Sequence, residues 1–168
     1  VTAAAILILV NKELANWYEK KMLDQERFYL SCFDERIKVN VGAKTLCATM
    51  KANGAKTVIV SGGFTFFSSR VATAIGFEHH HANVLLEGDS ALTGKVQMPI
   101  LGREAKLDRL KEYSAPYGGT QHAVAIGDGA NDLAMITAAG LGIAYDAKPA
   151  VAAAAHCAIQ HTDLTTAL

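Results

Sequence analysis

The sequence predicts an α/β protein built on a three-layer, Rossmann-like parallel sheet that carries a β-hairpin. Two short apolar runs, Thr57–Val60 and Val124–Ile126, each lead into a turn of small residues, and helical spacing follows. Runs of this kind are typical of parallel strands that are buried on both faces. Alternation of such strands with helices favours right-handed crossovers within one sheet.

Strands and helices are predicted along the whole chain. Residues 3–10 are apolar and predict a core strand, while residues 12–33 carry apolar side chains at helical spacing. A signal peptide is not expected, because no basic stretch precedes the apolar run. Further helices are predicted near Ala43–Met50, ended by Gly54, near Phe66–Ile75, ended by Gly76, over Gly102–Lys111, near Leu133–Ala139 and after Pro149. Two further strands, Asn83–Glu87 and Leu92–Val96, are predicted to form the hairpin around a Gly88-Asp89-Ser90 turn. The last predicted strand is Leu141–Ala144.

The histidine run His79–His81 invites a metal interpretation. Consecutive residues do not share one face of a helix or strand, and no carboxylate spacing supports a site. We therefore predict a solvated connector there.

Composition limits the function classes. The chain has 168 residues, of which 51% are hydrophobic, and its 16 basic and 16 acidic residues balance. These values exclude a disordered chain and give no basic patch for nucleic acid. Three widely spaced cysteines form neither a disulfide framework nor a zinc site and indicate a reducing cytoplasm. No run is long enough to cross a bilayer, so no membrane partner is expected.

The run that ends at Gly127 delivers acidic groups to a sheet edge. Asp128 and Asp132 follow the strand, and Asn131 lies between them. Open α/β sheets bind ligands at the carboxyl ends of their strands, and carboxylates suit a hard cation such as Mg²⁺. A surface turn rich in Gly, Asn and Asp is the alternative for this segment taken alone.

A second loop, Ser61-Gly62-Gly63, follows the other apolar strand. Ser61 supplies a hydroxyl, Gly62 an approachable N–H, and the next helix directs its positive end to the same place. We expect an anion there, most simply a phosphoryl group. An ordinary strand-to-helix turn is equally compatible with this loop alone. Lys106, near the start of a later helix, could reach such a group or neutralise clustered carboxylates, although taken alone it is typical of a surface lysine.

Three strings in this order, Val60–Thr65, Gly102–Lys106 and Gly127–Leu133, resemble motifs of the haloacid dehalogenase superfamily of phosphohydrolases. Within it, the chain is similar to the bacterial phosphoserine phosphatases from about residue 37 to residue 168. Flanking strings, among them Ala82-Asn83, fit as well. We therefore divide the chain into an atypical N-terminal segment, 1–36, and a haloacid-dehalogenase-like core, 37–168, with a shortened or absent cap domain.

The resemblance implies a function. It implies a cytoplasmic, Mg²⁺-dependent hydrolase that converts O-phospho-L-serine to L-serine and phosphate in serine biosynthesis, acting as a monomer or homodimer. Ser61, Gly62 and Asn131 would bind the substrate, and Lys106 would stabilise the phosphoryl group. Asp128 would bind Mg²⁺, and Asp132 would help to hold the metal and serve in catalysis.

One family motif is missing. The first motif, Asp-x-Asp, supplies the nucleophile, and this pattern occurs nowhere in the sequence. Asn11 is nearest to its place, while Glu13, Asp24 and Asp34 are unconvincing replacements, so the nucleophile is unknown. We therefore expect this polypeptide to be nearly inactive. One alternative is an inactive fragment or a non-catalytic phosphate-binding homologue. The other is a phosphorylation domain of a cation-pumping ATPase, which has a similar acidic loop. The ATPase is disfavoured, because its membrane spans find no counterpart in this sequence.

Overall fold

A computed structural model describes residues 4–7, 37–88 and 91–168. Over these ranges the chain alternates between strands and helices, as the sequence predicts. The elements are β1 (Ala4–Leu7), α1 (Ala43–Ala52), β2 (Thr57–Phe64), α2 (Thr65–Ile75), β3 (His79–Asn83), β4 (Leu85–Gly88), β5 (Ala91–Val96), α3 (Arg103–Ser114), β6 (Ala123–Gly127), α4 (Leu133–Ala138), β7 (Leu141–Tyr145), α5 (Pro149–Ala154) and β8 (Cys157–Ile159), with short 3₁₀ turns at Ala115–Tyr117, Thr120–His122 and Leu164–Ala167.

Six strands form one sheet in the order β3-β2-β1-β6-β7-β8, and every pair in it is parallel. Strands β4 and β5 form a separate antiparallel hairpin. The predicted fold class, a Rossmann-like parallel sheet with a hairpin, is therefore confirmed. The order reverses direction on either side of β1, and such switch points are where open α/β sheets bind ligands.

The sheet is covered on both faces. Alternate residues of β2 point to opposite sides: Val58 and Val60 join a core cluster with Leu110 of α3, while Ile59 joins a cluster with Leu46 of α1. All five of these side chains are nearly or fully inaccessible to solvent. Burial on both faces explains why this strand is an unbroken apolar run rather than an alternating one.

Two helices end next to the glycines that were predicted to stop them. The amide of Gly54 donates to the carbonyl of Lys51 just after α1, and Gly76 caps α2 in the left-handed region at φ 101°. Glycine adopts this conformation without the penalty that a Cβ would bring.

The prediction for His79–His81 was wrong. These residues form most of β3 and pair in parallel with Val58–Val60 at the edge of the sheet. Their side chains are partly buried: the His80 ring lies 3.0 Å from the buried Ser68 hydroxyl through Nδ1, and the rings of His79 and His81 pack on Tyr113. The strand is defined by its pairing with β2, which a polar sequence does not reveal.

Two smaller differences concern strand ends. The first hairpin strand was predicted to begin at Asn83, but Asn83 closes β3 and the hairpin strand β4 begins at Leu85. The short strand β8 was not predicted, because three residues are too few to show a recognisable pattern.

Several predictions lie outside the described residues: the helix over residues 12–33, the surroundings of Asn11, Glu13, Asp24 and Asp34, the state of the cap, and the Asp89-Ser90 turn. The boundary at residue 36 stays a prediction, although β1 already belongs to the same sheet as the later strands. Among the helices that the structure describes, none has the length and apolar character needed to cross a membrane.

Candidate functional site

The two predicted ligand loops lie at the same level of the sheet edge. Leu7 of β1 pairs with Ile59 of β2 on one side and with Ile126 of β6 on the other. Ser61 lies two residues beyond Ile59, and Asp128 lies two residues beyond Ile126. The register therefore brings both loops to the carboxyl edge, on the two sides of β1.

The loop at the end of β2 is a bulge within the strand. Val60 pairs with His81 and Phe64 pairs with Asn83, so Ser61–Gly63 lie opposite a single residue of β3. The amide of Gly63 donates a hydrogen bond to the Ser61 hydroxyl oxygen at 3.0 Å. The strand ladder is interrupted here, which turns these three residues away from regular pairing.

The bulge can accept a ligand. Ser61 is buried, yet among the described residues no acceptor takes its hydroxyl proton, which leaves that proton for a ligand oxygen. Gly62 is exposed, and a Cβ placed on it would meet no atom of the described residues within 4 Å. Within the described part of the chain, open space therefore lies in front of the backbone that the sequence assigns to phosphate.

Lys106 is buried at the edge of the neighbouring loop. Its side chain is 4% exposed, and its ammonium group forms an ion pair and hydrogen bond with the Asp132 carboxylate, which is 1% exposed. Helix α3, which carries Lys106, contacts β1, β2 and β6. The lysine that looked like a surface residue in isolation is thus held in the interior, next to the acidic loop.

Both oxygens of Asp132 accept hydrogen bonds from protein donors. One accepts from Lys106, and the other accepts from the backbone amides of Asp128 and Gly129 at 3.1 and 3.0 Å. Asp132 thus fixes both the lysine and the loop that presents Asp128. Its assignment as a direct metal ligand stays a prediction, and the contacts favour a positioning role.

Asp128 is the more accessible acid of the pair. Its carboxyl is half-buried, and its pKa is raised, first by burial and then by the negative charge of Asp132. Among the described residues, no cationic side chain forms an ion pair with it. A carboxylate whose charge is poorly compensated at a sheet edge fits a divalent cation.

The side chains at this edge fit Mg²⁺ better than a metal ion that takes all its ligands from the protein. Over the described ranges, no group of three or more His, Cys, Asp or Glu side chains could hold an ion. Mg²⁺ commonly takes one or two carboxylates and completes its shell with water and substrate phosphate. Asp128 can serve as such a carboxylate.

Asn131 lies on the exposed side of the acidic loop. Its amide oxygen would stand 2.4 Å from a Cβ added to Gly129, so the side chain folds back over that glycine. It makes no hydrogen bond with any other described residue. The predicted substrate contact of Asn131 stays a prediction.

Asn83 was not predicted as a site residue, but its side chain makes two hydrogen bonds at the site. Its amide nitrogen donates to the Gly62 carbonyl at 2.9 Å, and its amide oxygen accepts from the Leu101 amide at 2.6 Å. The side chain is buried, with 6% of the residue exposed. The sequence carries no local signal for these contacts, because both partners lie far from Asn83 along the chain.

The far end of α3 is fixed by Tyr113. Its hydroxyl lies 2.7 Å from Nε2 of His81, and its ring packs on both His79 and His81. Lys106 and Tyr113 are seven residues apart, which puts them on one face of the helix. The helix is therefore fastened to the acidic loop at one end and to the edge strand at the other.

Comparisons with known proteins agree with this arrangement. The family model for haloacid dehalogenase-like hydrolases matches residues 4–137. The phosphoserine phosphatase of Streptomyces coelicolor is 42% identical over 133 residues, which make up 79% of this chain and 32% of that protein. The phosphoserine phosphatase of Idiomarina loihiensis is 41% identical over 129 residues, which make up 76% of this chain and 59% of that protein.

A solved structure shares the fold. The unliganded crystal structure of a probable phosphoserine phosphatase from Vibrio cholerae aligns with a TM-score of 0.79 at 28% identity, over 98% of this chain and 62% of that one. The chain thus spans about a third to three-fifths of the length of these relatives. Because the family model covers most of the chain, this protein belongs to the haloacid dehalogenase-like hydrolases.

Proposed function

We propose that this chain carries the phosphate-binding core of a Mg²⁺-dependent phosphoserine phosphatase, with O-phospho-L-serine as substrate and L-serine and phosphate as products. One observation carries the proposal: a buried lysine is paired with Asp132 at the same sheet edge as the open Ser61–Gly63 bulge. The names of the relatives support this choice of substrate. Serine biosynthesis would then be the process that the activity serves.

Each residue has a part in binding. The Ser61 hydroxyl and the Gly62 amide would donate to phosphoryl oxygens, and the Lys106 ammonium would offset their negative charge. Phosphoryl transfer depends mainly on positioning and charge stabilisation, so these donors are the main contribution of the described residues. Asp132 would hold Lys106 in place, and Asn131 would lie beside the substrate.

Asp128 would hold Mg²⁺. When bound, the ion supplies positive charge that stabilises the phosphoryl oxygens. The charge of Asp128, which burial and Asp132 disfavour, would be compensated by the ion.

A second candidate is phosphate binding without hydrolysis. It is favoured by the absence of Asp-x-Asp from the sequence, because covalent catalysis needs a nucleophile in line with phosphorus. Our expectation of very low turnover by this polypeptide belongs to this candidate.

One experiment separates the two. Phosphate release from O-phospho-L-serine is measured in millimolar Mg²⁺, with and without EDTA, for the wild type and for Lys106→Ala. Binding of inorganic phosphate is measured on the same samples. Release that EDTA and the substitution both abolish supports the phosphatase, and binding without release supports the second candidate. If the wild type neither releases nor binds phosphate, both candidates are contradicted.

A further inference from the structure

We infer that Asn83 is a positioning residue that holds the phosphate-binding bulge in shape and couples it to the helix that carries Lys106. The inference rests on the proposed function for its effect on phosphate, and on described contacts for its geometry. Asn83 does not itself face the open space at Gly62; it acts through the backbone.

The first step concerns the bulge. Between the Val60–His81 and Phe64–Asn83 pairs the parallel ladder is interrupted, so the Gly62 carbonyl lacks a regular partner on β3. The Asn83 amide nitrogen supplies the missing donor at 2.9 Å. The same peptide plane carries the Gly63 amide, which donates to the Ser61 hydroxyl oxygen, so holding the Gly62 carbonyl fixes the plane that orients this hydroxyl.

The second step concerns α3. The Asn83 amide oxygen accepts from the Leu101 amide, two residues before the first residue of α3. Lys106 lies in the first turns of that helix and is held from the other side by Asp132. These hydrogen bonds connect the Gly62 carbonyl, through the Asn83 side chain and the Leu101 amide, to the helix that carries Lys106.

The chemistry of the carboxamide is specific. One end of the side chain must donate and the other must accept, and the two backbone partners fix which end is which. A carboxylate can satisfy Leu101 but not the Gly62 carbonyl, and an apolar side chain can satisfy neither. The buried position makes each unmade hydrogen bond costly.

Two variants separate the two contacts. Asn83→Leu removes both hydrogen bonds without adding charge, and Asn83→Asp keeps the acceptor for Leu101 while removing the donor to Gly62. The matched controls are Asn53→Leu and Asn53→Asp. Asn53 also donates from its side-chain amide to a backbone carbonyl, that of Thr49 at 2.8 Å, but it is exposed and follows α1.

The readouts are amide hydrogen exchange, resolved by residue, and the affinity for inorganic phosphate. We expect Asn83→Leu to speed exchange in both the 61–64 bulge and the 101–106 segment by about tenfold, the effect of one lost hydrogen bond. Asn83→Asp speeds exchange in the bulge but leaves 101–106 near the wild-type rate. Asn83→Leu weakens phosphate binding about tenfold, and the Asn53 controls stay within twofold of the wild type in both readouts.

The outcomes are distinguishable. A wild type that binds phosphate, with an Asn83→Leu variant that binds it equally well, contradicts this inference but leaves the proposed function standing. A wild type that does not bind phosphate contradicts the proposed function and with it the role of Asn83 in binding. If Asn83→Leu does not fold, Asn83→Asp decides: uniform acceleration across the whole chain, or none in the bulge, overturns the inference.

Discussion

The two loops of the site are held in place by different kinds of interaction. The bulge at Ser61–Gly63 is fastened by neutral hydrogen bonds, from Asn83 to Gly62 and from the Gly63 amide to Ser61, and it faces open space. The acidic loop after β6 is fastened by a fully buried ion pair and is tightly packed. The difference indicates a division of labour, in which the first loop receives the ligand and the second supplies a rigid, charged frame.

The largest effect should come from breaking the buried ion pair. Lys106→Met leaves the Asp132 carboxylate buried without its cation, and such losses typically cost about 3–5 kcal/mol of unfolding free energy. The measurement is urea denaturation at neutral pH.

The ion-pair prediction has two controls. The double variant Lys106→Met/Asp132→Asn should recover part of the loss, because no unpaired charge remains and the amide oxygen can still accept from the Asp128 and Gly129 amides. Lys56→Met, which removes the exposed Lys56–Glu78 pair, should cost far less than Lys106→Met. Equal losses from Lys56→Met and Lys106→Met would show that the acidic loop is not held by its charge.

A smaller effect should distinguish the packing of the loops. A Cβ on Gly127 would lie 2.5 Å from Cβ of Asp132, whereas one on Gly62 would meet no atom within 4 Å over the ranges that the structure describes. Gly127→Ala should therefore cost about 1–3 kcal/mol, the range for overpacking in a tight site. Gly62→Ala should stay within about 0.5 kcal/mol of the wild type. Thermal or urea unfolding of both variants measures this, and a reversed order would refute the contrast.

The smallest effect concerns pH and the far end of α3. Burial, and then the positive charge of Arg109, lower the pKa of His81 below its ordinary value of 6.5. The unfolded chain therefore takes up a proton at a higher pH than the folded chain does, and the stabilisation by neutral His81 is lost as the pH falls below about 6.5. The unfolding free energy of the wild type should fall more steeply between pH 7.5 and 5.5 than that of His81→Gln. Parallel pH profiles would contradict the assignment.

The sequence predicts where both loops lie because their positions depend on local signals, but it predicts a turn after Val60 where the structure has a bulge within β2, which runs on to Phe64. Glycines and small polar residues after an apolar strand are visible in a short window, and parallel pairing brings such strand ends together. The burial of Lys106 could not be read in that way, because it depends on Asp132, 26 residues further along the chain.

Non-local contacts also explain what was missed. Strand β3 is polar and lies at a sheet edge, so its sequence lacks the apolar pattern of a buried strand. Asn83 acquires its role from Gly62 and Leu101, which lie 21 and 18 residues away. Pairings of this kind become visible when the fold is in hand.

We expect the two loops to form one phosphate-binding site. The most direct test is a titration with inorganic phosphate, in millimolar Mg²⁺, followed by the amide signals of Gly62, Gly63 and Gly129. We predict that signals from both loops shift with one common dissociation constant and that Lys106→Ala weakens the response of both together. Shifts confined to one loop, or two different dissociation constants, would contradict the claim.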